Sequence, residues 1–135
     1  MENEFIPYEQ ALTLKELGFD EPCRDHWERG VDGYGWGLFS SGDWLTYKDL
    51  TPEYKDNDGN ICGEFSCPTF SQAFRWFREK YKIFPYTYTG NGYLFHYCMF
   101  IKDRDNQYHS NDLYLSNEEA ELECLKKLIE IVKNK

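Results

Sequence analysis

The segment Pro68-Thr-Phe-Ser-Gln-Ala-Phe-Arg-Trp-Phe-Arg-Glu-Lys-Tyr81 repeats its apolar residues at helical spacing. The segment soon after it, Tyr86-Thr-Tyr-Thr-Gly-Asn-Gly-Tyr-Leu-Phe-His-Tyr-Cys-Met-Phe-Ile101, does not. In the first, Phe70, Ala73, Phe74, Phe77 and Tyr81 follow the 3.6-residue period, and Thr69 with Gln72 supplies a T-x-x-Q capping box just after Pro68. Trp76 lies off that stripe, so the helix over 70–81 is expected to be contacted on more than one side. In the second, Gly90-Asn-Gly92 separates two strand-like runs, which predicts a hairpin. Tyr93 to Ile101 is apolar on both faces, the mark of a central, covered strand.

Working outward, Ser116 and Glu119 form an S-x-x-E box ahead of a helix from Asn117 to about Val132. Leu122, Leu125, Leu128, Ile129 and Val132 are its expected buried stripe. Glu118 to Glu123 and Lys126 to Lys133 sit at the ends that match the helix dipole. Upstream, Pro7 and Glu9 open a helix that runs to Leu17, and Gly18 suits its C-terminal turn, with Tyr8, Ala11 and Leu12 on one face. Asp103-Arg-Asp-Asn106 has turn chemistry, and a short strand is expected through Leu113-Tyr-Leu115. Trp36-Gly-Leu-Phe39 and Trp44-Leu-Thr-Tyr47 are expected to pair across Ser40-Ser-Gly-Asp43 as a hairpin. The pattern predicts an α+β domain over 1–135, three helices on a small, mainly antiparallel sheet. Residues 20–67 form a Gly/Trp-rich loop or hairpin insertion within it.

The chain has 135 residues, 24 Asp and Glu against 15 Lys and Arg, and a net charge of −9. One domain suits that length, and 41% hydrophobic residues argue against a disordered chain. The cations are scattered, so direct binding to nucleic acid is not expected. No stretch is apolar enough for a membrane span, and Met1-Glu-Asn-Glu4 lacks a basic leader, which together suggest the cytoplasm. Five cysteines without a secretory signal are expected to be reduced thiols.

Chemistry is sparse. Cys23-x-x-His26 with Cys62-x4-Cys67 offers zinc-type ligands, although neither half has C-x-x-C spacing, and the ordinary alternative is unrelated thiols beside a histidine. Asp56-Asn-Asp-Gly-Asn60 fails as a calcium loop, because Tyr54 and Phe65 would occupy carboxylate positions; a polar turn with a left-handed Gly59 fits better. His96, Cys98 and His109 stand in no nucleophile context, and no catalytic set or cofactor is predicted. Gly30-Val-Asp-Gly-Tyr-Gly-Trp-Gly37 is not a phosphate loop. Its aromatics, with their neighbours, make Trp27, Tyr34, Trp36, Trp44 and Tyr47 the candidate partner-binding residues, against the plainer expectation that the tryptophans fill a core. Arg75, Arg78, Lys80 and Lys82 form the one basic cluster, which suits a phosphate or simply a solvated helix face.

Three blocks carry a resemblance: Phe5-Ile-Pro-Tyr-Glu-Gln-Ala-Leu12 with Lys15-Glu-Leu-Gly-Phe-Asp-Glu-Pro-Cys23, Pro68 to Tyr81, and Glu118 to Val132. Together they resemble a recurrent family of short uncharacterised proteins of phages, prophages and gut bacteria. That resemblance implies a small accessory protein of a mobile element and brings no catalytic residue with it. With the −9 charge, the aromatic loop region and the lack of a catalytic set, the functional expectation is a small acidic protein that binds a macromolecular partner, inhibition of a basic nucleic-acid-handling host protein being one such role. The rivals are a small-molecule or nucleotide-binding domain with an aromatic pocket around Trp36 and Trp44, either a pure binder or an enzyme, and a zinc-stabilised interaction domain. A homo-oligomer is compatible with the exposed aromatics and strand edges.

Overall fold

The computed structural model describes residues 5–29, 37–89, 94–101, 106–110 and 112–134. In chain order the elements are α1 (Tyr8–Glu16), β1 (Cys23–Arg29), β2 (Gly37–Leu45), a 3-10 turn (Tyr47–Asp49), β3 (Tyr54–Lys55), β4 (Ile61–Cys67), α2 (Phe70–Tyr81), β5 (Ile83–Thr89), β6 (Phe95–Ile101), β7 (Asn106–His109) and α3 (Asn117–Lys133). Three helices with antiparallel sheets make the expected α+β class. The strands are shared between two sheets, ordered β2-β1-β4-β3 and β5-β6-β7. Phe5–Pro68 and Thr69–Lys135 form two compact units, each holding one sheet. Among the described residues, no helix is long and apolar enough to cross a membrane.

In the unit from Thr69, α2 begins at the predicted capping box. The Gln72 amide donates to Thr69 Oγ1 at 3.2 Å, and the Thr69 amide donates to Gln72 Oε1 at 3.0 Å. The helix ends at Lys82, in the left-handed region at φ 58°. Phe70, Ala73, Phe74, Trp76 and Phe77 are all buried, so Trp76 is covered although it stands off the main stripe. At α3, the Glu119 amide donates to Ser116 Oγ, but Glu119 Oε2 accepts from the Leu115 amide, one residue before the position a full box requires. Its buried stripe is Ala120, Cys124, Leu125, Leu128, Ile129 and Val132. Leu122, expected in that stripe, is only half-buried.

β5 and β6 pair in register from Ile83↔Ile101 to Thr89↔Phe95, and β6 is the central strand as expected. The turn expected between them, residues 90–93, lies outside the described residues. Ile83, Pro85, Tyr97 and Met99 are buried on one face, which α2 and α3 pack against. Phe84, Tyr86 and Tyr88 alternate outward on the other. Pro85 is tolerated within β5 because that strand is at the sheet's edge, where one N–H has no ladder partner to lose. The third strand is Asn106–His109, not the expected 113–115. Leu113 and Leu115 are exposed, and only Tyr114 bridges, to Phe95.

In the unit from Phe5, α1 closes in a Schellman turn. Gly18 at φ 98° donates to the Lys15 carbonyl, and the Phe19 amide to that of Leu14. Ala11 and Leu14 face the core, while Tyr8, expected on the buried face, is exposed and meets Trp27 edge-on at 6.0 Å. The Trp27 indole donates to the Ile6 carbonyl at 3.1 Å. The Ile6 amide donates to the Pro68 carbonyl, so the two ends of this unit are tied together. Residues 37–45 are one strand paired with β1, and the hairpin expected over Trp36–Tyr47 does not form. Ser40-Ser-Gly-Asp43 makes a bulge instead of reversing the chain. Between Asp25↔Ser40 and Cys23↔Leu45, four residues of β2 stand opposite Arg24 alone, with Gly42 at φ 79°.

Candidate functional site

The bulge in β2 carries the most exposed large hydrophobic side chain among the described residues of this unit. A regular strand would alternate Ser41 to Trp44 between two faces, but four residues opposite one cannot stay pleated, and Trp44 is thrown outward to 62% exposure. The Arg24 guanidinium lies 5.9 Å from its ring centre, at cation–π range. Phe39, on the same strand, is 50% exposed and stacks on His26 at 6.2 Å. Residues 5–68 carry 13 acidic and 5 basic residues, a net of −8, whereas residues 69–135 carry 9 and 10, a net of +1. The projecting aromatics therefore sit in the acidic unit.

Next to them is a cluster created by strand register. Glu28 and Glu64 are partners across the β1–β4 ladder, and His26 lies opposite Ser66. Partnered residues, and those two positions along, share one face. The His26 ring lies nearly buried between the two carboxylates, its Nε2 3.0 Å from Glu64 Oε2 and 3.2 Å from Glu28 Oε2. Glu64 Oε1 accepts from the Thr51 amide at 3.0 Å. Burial works to raise the Glu64 carboxyl, but Thr51 and the His26 ring outweigh it and hold the group below the usual glutamate value. Beside the carboxylates lies a cleft of about 110 Å³, lined by Glu28, Arg29, Thr51, Tyr54, Gly63 and Glu64. Gly63 keeps it in shape: it stands at φ 135°, and a Cβ there would meet the Pro52 carbonyl oxygen at 2.9 Å. The cleft is well below the size of sites that enclose a nucleotide-sized ligand, and two carboxylates line it.

The residues expected from the sequence fare unequally. Trp44 is exposed, whereas Trp27 is half-buried with its indole hydrogen spent on Ile6. Tyr34 and Trp36 lie outside the described residues, as does the side chain of Tyr47. The four expected zinc ligands do not converge. Cys62 and Cys67 are five positions apart on one strand, about 16 Å along it and on opposite faces. Cys62 lies near Asp56 Oδ2 and the Asn60 carbonyl, Cys67 on the Ile6 carbonyl and Cys23 on that of Glu21, while His26 turns to its glutamates. All five thiols are free and buried. Burial, then Glu21 and Asp25, pushes the Cys23 thiol up to about 12; burial, then Cys23 and Asp25, does the same for Cys67. Neither is a ready thiolate ligand or nucleophile near neutrality.

Asp56 to Asn60 is the polar turn expected. Asp56 Oδ1 accepts from the Asp58 and Asn60 amides at 2.9 and 2.8 Å, and Gly59 is at φ 83°. Those bonds, Asn60's first, lower the Asp56 pKa. In the other unit, Cys98 Sγ lies 3.9 Å from His109 Nε2, but the thiol is fully buried, and His96 stacks on Tyr88 at 5.0 Å. Arg75, Arg78, Lys80 and Lys82 are exposed, with Lys80 over the Trp76 ring. Phe39, Glu28 and Glu64 escaped sequence reasoning. Only the alternation of Glu64 and Ser66 with Phe65 and Cys67 hinted at a strand there. Comparison with protein-family models, curated proteins and solved structures gave no match.

Proposed function

We propose that this chain is a binding protein, an accessory protein of the phage or prophage type, that docks a basic macromolecular partner on the β2 side of its acidic unit. The exposed Trp44 on the β2 bulge carries this reading. An indole on a four-residue bulge, touched by Arg24 and otherwise mostly exposed, leaves most of its surface free for a partner. Large aromatics anchor interfaces by filling a partner's pocket, and the surrounding acidic residues steer and select a basic partner. Phe39 is the second anchor, and Arg24 holds the indole in place.

The test uses the intact protein and its Trp44→Ala and Phe39→Ala variants as baits against lysate of the native host. Both variants are expected to melt within about 0.5 kcal/mol of the parent, as exposed positions do. Recovery of a basic protein that is lost with Trp44→Ala and weakened by salt supports the reading. Equal recovery by parent and Trp44→Ala baits refutes the docking site, and no specific recovery refutes the function.

A further inference from the structure

The cluster of His26, Glu28 and Glu64 does not depend on any partner, and it points to a different ligand. Both carboxylates converge on a single ring nitrogen. A neutral imidazole with its proton on Nε2 can give that one hydrogen fully to only one of them. Among the described residues, neither carboxylate has a Lys or Arg nitrogen within 4 Å, so two negative groups meet at one histidine. The three ligand atoms lie within 4.8 Å of one another.

The two contacts are of hydrogen-bond length, and they also lie close to the spacing that ligands keep around an ion. Zinc holds imidazole nitrogen and carboxylate oxygen at about 2.0–2.1 Å, so the edges of its tetrahedron are about 3.3 Å. Two edges of the cluster, at 3.0 and 3.2 Å, are near that length and the third lies within 4.8 Å, so side-chain adjustment admits the ion. Thr51 already fixes the other oxygen of Glu64 and so orients this ligand. His26 is rigid between strands and stacked on Phe39. The cleft opens beside the carboxylates, with room for water on the fourth position of the metal.

We propose that His26 Nε2, Glu28 Oε2 and Glu64 Oε2 bind one zinc ion, with water completing its coordination from the cleft. Two carboxylates and an imidazole neutralise the charge of the ion and select a borderline metal over calcium or magnesium, which take oxygen ligands in larger number. This site shares only His26 with the thiol set expected from the sequence.

The metal-free full-length protein is titrated with zinc(II) by calorimetry and with cobalt(II) by visible absorption. The expected result is one equivalent bound, cobalt d–d bands without thiolate charge transfer in that first equivalent, and no displacement by excess magnesium. Glu64→Gln and Glu28→Gln should each weaken binding by at least about tenfold. Glu28 is 41% exposed, so Glu28→Gln keeps the test valid if Glu64→Gln does not fold. Absence of saturable binding overturns the proposal, as does thiolate charge transfer in the first equivalent or unchanged affinity in Glu28→Gln.

Discussion

The two units solve one packing problem in different ways. Each lays helix on one face of an antiparallel sheet and leaves aromatic residues on the other. The unit from Thr69 covers three strands with helices of 12 and 17 residues, and carries a net charge near zero. The unit from Phe5 has a single nine-residue helix for four strands and a net charge of −8. Its thin helical cover is supplemented by specific polar ties: Trp27 to Ile6, Ile6 to Pro68, Thr51 to Glu64 and the Asp56 turn. Apolar burial is non-directional and lets side chains adjust, whereas such ties fix positions. The acidic unit therefore holds polar groups in fixed places, and the histidine–glutamate cluster is found there.

The contrast can be broken by experiment. Phe77 is fully buried in the helical unit, and Phe77→Ala should cost about 3–5 kcal/mol in a urea melt. A cost below about 1 kcal/mol would mean that α2 does not organise that core. In the acidic unit, Gly63→Ala forces a side chain into a left-handed backbone and against Pro52, and should cost about 1–3 kcal/mol. A neutral result there would show that the 51–53 segment is not held against β4. Thr69→Ala removes the α2 cap and should cost about 1 kcal/mol in the same melt.

The smallest effect is one of pH. The Glu64 carboxyl is held below its ordinary value of 4.5, so its stabilising contribution is complete above that pH. As the pH falls through the lowered native value, the carboxylate takes up a proton and the contribution disappears. Glu64→Gln should therefore flatten the acid limb of stability against pH. An unchanged limb would mean that Thr51 and His26 do not favour the ionised carboxylate.

The units also differ in how far their sequences reveal them. Around α2 and α3 the information is local: Thr69 and Gln72 lie three residues apart, and Leu125, Leu128 and Ile129 mark one face. Both helices are legible for that reason. In the acidic unit the decisive relations are distant. Glu28 and Glu64 are 36 residues apart and meet only through the register of β1 with β4, which no nearby pattern encodes. Ser40 to Asp43 shows the same limit, since turn residues announce a departure from the strand but not whether the chain reverses or bulges. At Leu113 and Leu115 hydrophobicity misleads, because both side chains face solvent, while the polar Asn106 to His109 forms the edge strand.

Pro85 has a consequence for crowded conditions. Several of the chain's aromatic residues, Phe84, Tyr86 and Tyr88 among them, are exposed and offer apolar surface to other copies. An open strand edge would let such copies add one after another, each extending the sheet of the last. The outer rim of β5, beside exposed Phe84, Tyr86 and Tyr88, is where that growth would begin. Pro85 interrupts the row of donors there, so an arriving strand finds a gap in mid-edge and cannot register along its length. One imino acid thereby works against strand addition beside the exposed aromatic face.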